Sequence, residues 1–147
     1  MNIITVDFET YYDKTFSLTK LTTEHYVRSS EFEVIGLAVK VNNGETDWIS
    51  GPFDAVKKYL HANYDWEGSA VLAHNTLFDT LCMGRALHGT EVGGSLKYLA
   101  DMYEIGEKGN EVILAVGKNR ADFTEEELER YGDYCIQDVE LTYQLFE

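Results

Sequence analysis

The apolar run that opens the chain constrains the fold most, because it breaks at an acidic pair. The residues of segment 1–6 are mainly apolar and lead directly into Asp7-Phe8-Glu9. A short apolar run bounded by polar residues is typical of a buried β-strand. We therefore expect a strand over residues 1–8 that delivers Asp7 and Glu9 to its carboxyl end.

The first half of the chain then alternates predicted strands with a helix. Segment 33–41 is a second strand, and the turn Asn42-Asn43-Gly44 leads into a third strand over Thr46–Ile49, which predicts an antiparallel hairpin. A helix is expected from near Pro52, because proline is tolerated at a helix start. Segment Ser69–Ala73 predicts a further short buried strand.

A short helix is possible in 19–27, between the first two strands, and helices dominate the expected second half of the chain. Ser95 is a candidate N-cap, and Thr124-Glu125-Glu126-Glu127 is a capping box that predicts a long helix reaching Phe146. This order indicates an α/β fold with three antiparallel strands and one parallel strand, flanked by helices. We expect a single domain over residues 1–147.

Composition narrows the class of protein. The chain has 147 residues, of which 44% are hydrophobic and 26% charged, as in ordinary globular domains. It has no apolar run of bilayer length and no basic leader, so we expect a cytoplasmic protein without a membrane partner. Cys82 and Cys135 lack metal-type spacing and are expected to be reduced core residues.

Two further acidic patches accompany the first. Asp79 ends His74-Asn75-Thr76-Leu77-Phe78-Asp79, and Asp138 ends Tyr134-Cys135-Ile136-Gln137-Asp138. Carboxylate oxygens are the ligands that Mg²⁺ and Mn²⁺ prefer. If the patches converge, they predict a site for two ions about 3.5–4 Å apart, the arrangement that promotes phosphodiester displacement.

Each pattern also has an ordinary structural interpretation. Acidic residues often mark strand ends, and Tyr134 is equally compatible with the core side of an amphipathic helix. Residues four apart lie on one face of a helix, however, so Tyr134 and Asp138 can share a cleft. His74 beside the cleft is expected mainly to satisfy local hydrogen bonds.

With these motifs in the order Asp-x-Glu, Asp and Tyr-x-x-x-Asp, the chain resembles the DEDD exonucleases of the ribonuclease H-like superfamily. It is most similar to the tyrosine subgroup, and within it to the proofreading domains of phage and bacterial family A DNA polymerases. The resemblance covers nearly the whole chain, notably segments 4–12, 85–89, 93–97 and 131–142.

The resemblance implies a 3′–5′ exonuclease acting on single-stranded or frayed DNA 3′ ends, beside a DNA polymerase domain or subunit, in a bacterial or phage-infected cell. It implies catalytic roles for Glu9 and for Tyr134, which would orient the attacking water. It further implies a two-ion Mg²⁺ or Mn²⁺ site and substrate contacts from these residues: metal ligands Asp7, Glu9, Asp79 and Asp138, and substrate-binding Thr10, His74 and Asn75.

The chain departs from the family after the second motif. Family members continue there with a helix, a loop and a strand that often itself ends in Phe-Asp-Thr-Leu, whereas Phe78-Asp79-Thr80-Leu81 serves both ends here. We expect residues 76–87 to form the motif-two helix and an outer strand to be lost. The alternative is that Asp79 stands at the end of that outer strand.

Two considerations keep other functions open. A net charge of −14 predicts weak free-standing affinity for DNA, because phosphate binding is normally driven by Lys and Arg. The missing segment also favours a rival hypothesis, a non-catalytic remnant that keeps the fold and binds metal or a polymerase. A ribonuclease with the same chemistry is a third hypothesis.

Overall fold

The structure is a computed structural model that describes residues 1–73, 78–109 and 111–147, without the side chains of Phe78, Asp79 and Glu111. The strands are β1 (Asn2–Thr10), β2 (Val34–Val41), β3 (Thr46–Ile49), β4 (Ser69–Ala73) and β5 (Phe78–Asp79). The helices are α1 (Thr23–Arg28), α2 (Phe53–Asn63), α3 (Thr80–His88), α4 (Leu96–Tyr103) and α5 (Glu125–Phe146). Two 3-10 turns, Glu111–Ala115 and Arg120–Asp122, lie between α4 and α5.

The strands form one mixed sheet in the order β3-β2-β1-β4-β5. The hairpin strands β2 and β3 are antiparallel to each other, and β2 is antiparallel to β1. Strand β4 runs parallel to β1, and β5 runs parallel to β4. The expected α/β fold with a mixed sheet flanked by helices is therefore confirmed, and β1 lies at its centre.

The alternation of side chains along β1 separates two packed faces. Ile4 and Val6 join Val56 of α2 in the core on one face. On the other face, Ala38 of β2 packs against residues of α5. Because successive strand residues point to opposite sides, Thr5, Asp7 and Glu9 belong to the α5 face.

The predicted helix caps are confirmed. The Ser95 side chain accepts a hydrogen bond from the Tyr98 N–H at the start of α4. Thr124 and Glu127 form a reciprocal capping box at the start of α5, which runs to Phe146 as expected. These caps satisfy backbone N–H groups that would otherwise lack partners.

The prediction of a helix over 76–87 is wrong at its start. Phe78 and Asp79 form β5, with their Cα atoms level with Leu72 and Ala73 of β4, and α3 begins only at Thr80. The parallel edge of β4 supplies backbone hydrogen-bonding groups that extended residues can use. The expected loss of an outer strand is likewise corrected, because a two-residue outer strand remains.

The link between β4 and β5 is unusually short. Four residues, 74–77, join Ala73 to Phe78, whereas parallel neighbours normally need a crossover of about a dozen residues or more. The length of this connection agrees with a chain from which a crossover segment has been lost.

The cysteines behave differently from each other. Neither forms a disulfide, and Cys135 is buried, but Cys82 is exposed, so its predicted core position is wrong. Thr80 and Gly84 form the buried side of α3, and a residue two positions from each lies about 200° around the helix. Among the helices in the described ranges, none has both the length and the apolar character needed to cross a bilayer.

Close contact between α5 and the sheet depends on Gly132. A Cβ atom at Gly132 would lie 2.6 Å from Cδ1 of Trp48 in β3, which is closer than packed atoms can approach. We expect Gly132→Ala to destabilise the fold by about 1–3 kcal/mol, as overpacking does, despite the better helix propensity of alanine.

Urea denaturation measures this effect. Glu129→Ala, at an exposed position on the same helix, is the matched control and should change the free energy of unfolding by less than about 0.5 kcal/mol. A Gly132→Ala protein as stable as its parent would show that α5 can move away from Trp48 without loss.

Candidate metal centre

Strand β1 places two carboxylates on the face that α5 covers. Glu9 is buried, with 7% of its surface exposed, and Asp7 is partly buried. Between Glu9 and Thr10 the pairing with β2 shifts register. Such irregularities bend a strand and are common beside functional sites.

Helix α5 brings the third carboxylate to the same place. Tyr134 and Asp138 lie four residues apart, and both are buried. Asp138 Oδ2 accepts a hydrogen bond from the Lys108 ammonium group, which forms an ion pair with it. Its other oxygen, Oδ1, is buried and has no hydrogen-bond partner among the described residues.

Cys135 fixes the distance between α5 and β1. Its Sγ lies 3.5 Å from the backbone oxygen of Asp7 and 3.9 Å from Asp7 Oδ2. Ligand atoms of Asp7, Glu9 and Cys135 all lie within 4.8 Å of one another. The convergence of Asp7 and Glu9 expected from the sequence is therefore reinforced by a contact from the helix.

The charged forms of Asp7 and Glu9 are destabilised in the folded protein. Burial raises the pKa of Asp7 to about 8, with further increases from the charges of Glu9 and Asp138, while Lys108 opposes the rise. The pKa of Glu9 rises to about 7, mainly through burial and also through Asp138, although the Tyr131 hydroxyl and Lys108 act in the opposite direction. Carboxylates this close resist ionising together without a cation.

Tyr134 has both a packing role and a polar one. Its ring belongs to a core cluster with Ile35 and Ala115, and it stacks on the Tyr131 ring at a centroid distance of 6.1 Å. Burial raises the pKa of its hydroxyl, and the charge of Asp138 adds to the rise. The hydroxyl therefore stays protonated at neutral pH, and it can orient a polar group beside Asp138.

A cavity of about 400 Å³ opens beside the carboxylates. Its wall includes Asp7 and Asp138 together with two basic residues, Arg85 of α3 and Lys108. Ser95, the N-cap of α4, also lines it. The cavity therefore offers both a carboxylate cluster and positive charge at one opening.

The structure brings together four of the predicted site residues, Asp7, Glu9, Tyr134 and Asp138. Thr10 lies at the end of β1, with its Oγ1 2.8 Å from the Tyr26 hydroxyl, and its substrate role stays a prediction. For the three remaining predicted site residues, the structure describes no side chain. His74 and Asn75 lie outside the described residues, and only the backbone of Asp79 is described, in β5.

Sequence reasoning missed two contributors. Lys108 had no spacing that connects it to Asp138, because the two are 30 residues apart and meet through a loop. Tyr131, which interacts with Glu9, had a usable signal. It stands three residues before Tyr134 and seven before Asp138, which places all three on one face of a helix.

The residues present suit a hard divalent cation. Asp7, Glu9 and Asp138 offer carboxylate oxygens, which Mg²⁺ and Mn²⁺ prefer. The Cys135 sulfur also lies in the cluster, but burial raises the pKa of this thiol and keeps it in the protonated form, which is a poor metal ligand. Asp138 Oδ1 is a buried acceptor without a partner in the described part of the chain. A cation would also relieve the repulsion that raises the pKa values of Asp7 and Glu9.

No protein-family model matches the chain, and no significant match occurs among the curated proteins or the solved structures.

The raised pKa of Asp7 predicts an unusual dependence of stability on pH. The folded-state pKa, about 8, lies above the ordinary value of 3.8, so between these limits the folded protein binds more protons than the unfolded chain. The free energy of unfolding should therefore fall as pH rises towards about 8. Asp7→Asn, which resembles the protonated residue, should lack this component.

The measurement is urea denaturation of both proteins in a chelating buffer at pH 5.5 and 8.5. We expect the Asn variant to gain at least about 1.4 kcal/mol on its parent between the two values, the equivalent of one pKa unit. Parallel pH profiles for the two proteins would contradict the buried, mutually repelling cluster.

Proposed function

We propose that the chain is a divalent-metal-dependent 3′–5′ exonuclease that removes nucleotides from single-stranded or frayed DNA ends, with a ribonuclease H-like fold. The observation that carries the proposal is that the charge of Asp138 acts on both Asp7 and Glu9. Asp138 shares a cavity wall with Asp7, and one of its oxygens is buried without a partner among the described residues. These residue types follow the motifs of the DEDD family noted in the sequence.

In this proposal Asp7, Glu9 and Asp138 hold Mg²⁺ or Mn²⁺. The bound ions would make the attacking water more acidic and stabilise charge on the leaving oxygen. The protein's own groups supply position. The neutral Tyr134 hydroxyl, held by the stacked Tyr131 ring, orients the water, while Glu9 accepts a hydrogen bond or proton at the same place.

In this proposal the DNA is attracted by basic residues at the cavity and not by the overall charge of the protein. The net charge of −14 opposes binding of DNA to most of the surface. Arg85 and Lys108, however, lie in the wall of the cavity that contains Asp7 and Asp138. We propose that these basic groups face the phosphates of a short 3′ end, and that a polymerase domain or subunit supplies the remaining DNA affinity in the cytoplasm.

Release of nucleotides from a 3′-labelled oligonucleotide tests the activity. We expect release in Mn²⁺ or Mg²⁺, none in EDTA, and none from Asp7→Ala or Asp138→Ala. Tyr134→Phe should keep the fold and slow turnover about 10- to 100-fold, because it loses one orienting hydrogen bond worth about 1.5–3 kcal/mol.

Asp54→Asn is the matched control, since it removes an exposed carboxylate on the helix across the sheet and should release nucleotides at the parental rate. A Tyr134→Phe protein with parental turnover would remove Tyr134 from the mechanism. Equal activity with and without EDTA would overturn the metal-dependent reaction itself.

A specific observation favours a second candidate, the non-catalytic remnant. Asp79 belongs to β5 rather than to a helix, and only four residues connect β4 to β5. A fourth ligand displaced by about 1 Å can cost 100-fold in rate. Under this candidate the chain binds Mn²⁺, seen as a raised melting temperature, but releases no nucleotides.

Asp79→Asn distinguishes the two candidates. For the nuclease, in which Asp79 adds the fourth ligand predicted from the sequence to the three described carboxylates, it should weaken Mn²⁺ binding and stop nucleotide release. For the remnant, in which three carboxylates hold the ion, it should leave the Mn²⁺-induced rise in melting temperature unchanged while Asp138→Asn abolishes it.

A further inference from the structure

The Lys108 side chain contacts two residues of the candidate metal centre. Its Nζ donates to Asp138 Oδ2 and lies 4.6 Å from the centroid of the Tyr134 ring. Its charge also lowers the pKa of both Asp7 and Glu9. One ammonium group therefore stabilises the charged forms of Asp7, Glu9 and Asp138, as a bound cation would.

The backbone that carries Lys108 is held against α4 and α5. The Ile105 N–H donates to the Ala100 oxygen of α4 at 3.1 Å, and Gln137 Nε2 of α5 donates to the Glu107 oxygen at 3.4 Å. Gly106 allows the close approach, because a Cβ there would lie 3.0 Å from Leu141 Cδ2. Lys108 is thus positioned over the carboxylates by contacts that do not involve its own side chain.

The side chain nevertheless has space to leave. Lys108 lines the cavity of about 400 Å³ that contains Asp7 and Asp138, and it also lines a second cavity of about 630 Å³ whose wall lacks both of these carboxylates. Asp133 lies in the wall of the second cavity and offers an alternative carboxylate. A change in side-chain rotamers can therefore move the ammonium group without moving the loop.

Lys108 does not balance the full negative charge of the three carboxylates. When ionised, Asp7, Glu9 and Asp138 carry three negative charges and Lys108 supplies one positive charge, so the cluster remains unbalanced. Asp138 Oδ1 is unpartnered within the described ranges, but Oδ2 is taken by Lys108. A divalent ion that uses the whole carboxylate must compete with the ammonium group.

We propose that Lys108 is a resident cation of this site: it holds Asp138 in the metal-free protein, and a divalent ion displaces it towards the second cavity. This inference rests on the proposed metal-dependent function and adds a regulation to it. Ion binding would be weakened by the competition, and the freed ammonium group would remain beside the opening where phosphate is proposed to bind.

Calorimetric titration with Mn²⁺ tests the competition, using Lys108→Gln. Removal of the competing charge should tighten Mn²⁺ binding about tenfold or more. Lys118→Gln is the matched control, because Lys118 also pairs with a carboxylate, Glu127, and lies over an aromatic ring. Its Mn²⁺ affinity should equal that of the parent. Unchanged or weaker binding by Lys108→Gln would overturn the proposal.

A second measurement on the parent protein does not depend on how the variant folds. A brief pulse of an amine-acylating reagent, read by mass spectrometry, should label Lys108 severalfold faster with saturating Mn²⁺, while Lys118 stays constant. Unchanged labelling of Lys108 under Mn²⁺ that demonstrably binds overturns displacement and leaves the proposed function standing. Absence of Mn²⁺ binding by both parent and Lys108→Gln overturns the metal site and the displacement together.

Discussion

The packing of α5 across the central strands is the interaction on which the candidate site depends. Val139 and Cys135 pack against Ala38 of β2, and Cys135 contacts the backbone of Asp7. These apolar contacts hold Asp138 against two other carboxylates that repel it. The free energy of burial offsets the repulsion, so the same helix both stabilises the fold and creates the demand for a cation.

Much of this arrangement could be predicted from the sequence, because it follows from strong local patterns. The alternation along β1 separates apolar Ile4 and Val6 from the acidic residues, and period two allows no other face for Asp7 and Glu9. Ser95 and Thr124 identify helix starts through the backbone N–H groups that they satisfy. The convergence of β1 with α5 needed the family resemblance in addition, since no local pattern connects residues so far apart.

The predictions that were wrong or missing concern residues whose positions depend on tertiary contacts. Phe78-Asp79 is too short for its periodicity to favour a helix or a strand, and the free edge of β4 decided the outcome. An aspartate directly before a helix is also common at an N-cap, so its presence there did not distinguish the alternatives. Lys108 reaches Asp138 from a loop whose position is set by Gln137 and Gly106, and such contacts leave no trace in spacing.

The position of the short connection explains how it can coexist with the candidate site. Asp7 and Glu9 belong to β1, at the centre of the sheet, and Asp138 belongs to α5. The short link instead joins β4 to the edge strand β5. Removal of a crossover at an edge exposes backbone groups there, but it leaves the contacts of Cys135, Val139 and Ala38 unchanged. The proposed cation binding and the proposed catalysis are therefore separable in this fold: the first requires only the centre of the sheet, while the second also depends on what the edge presents to the substrate.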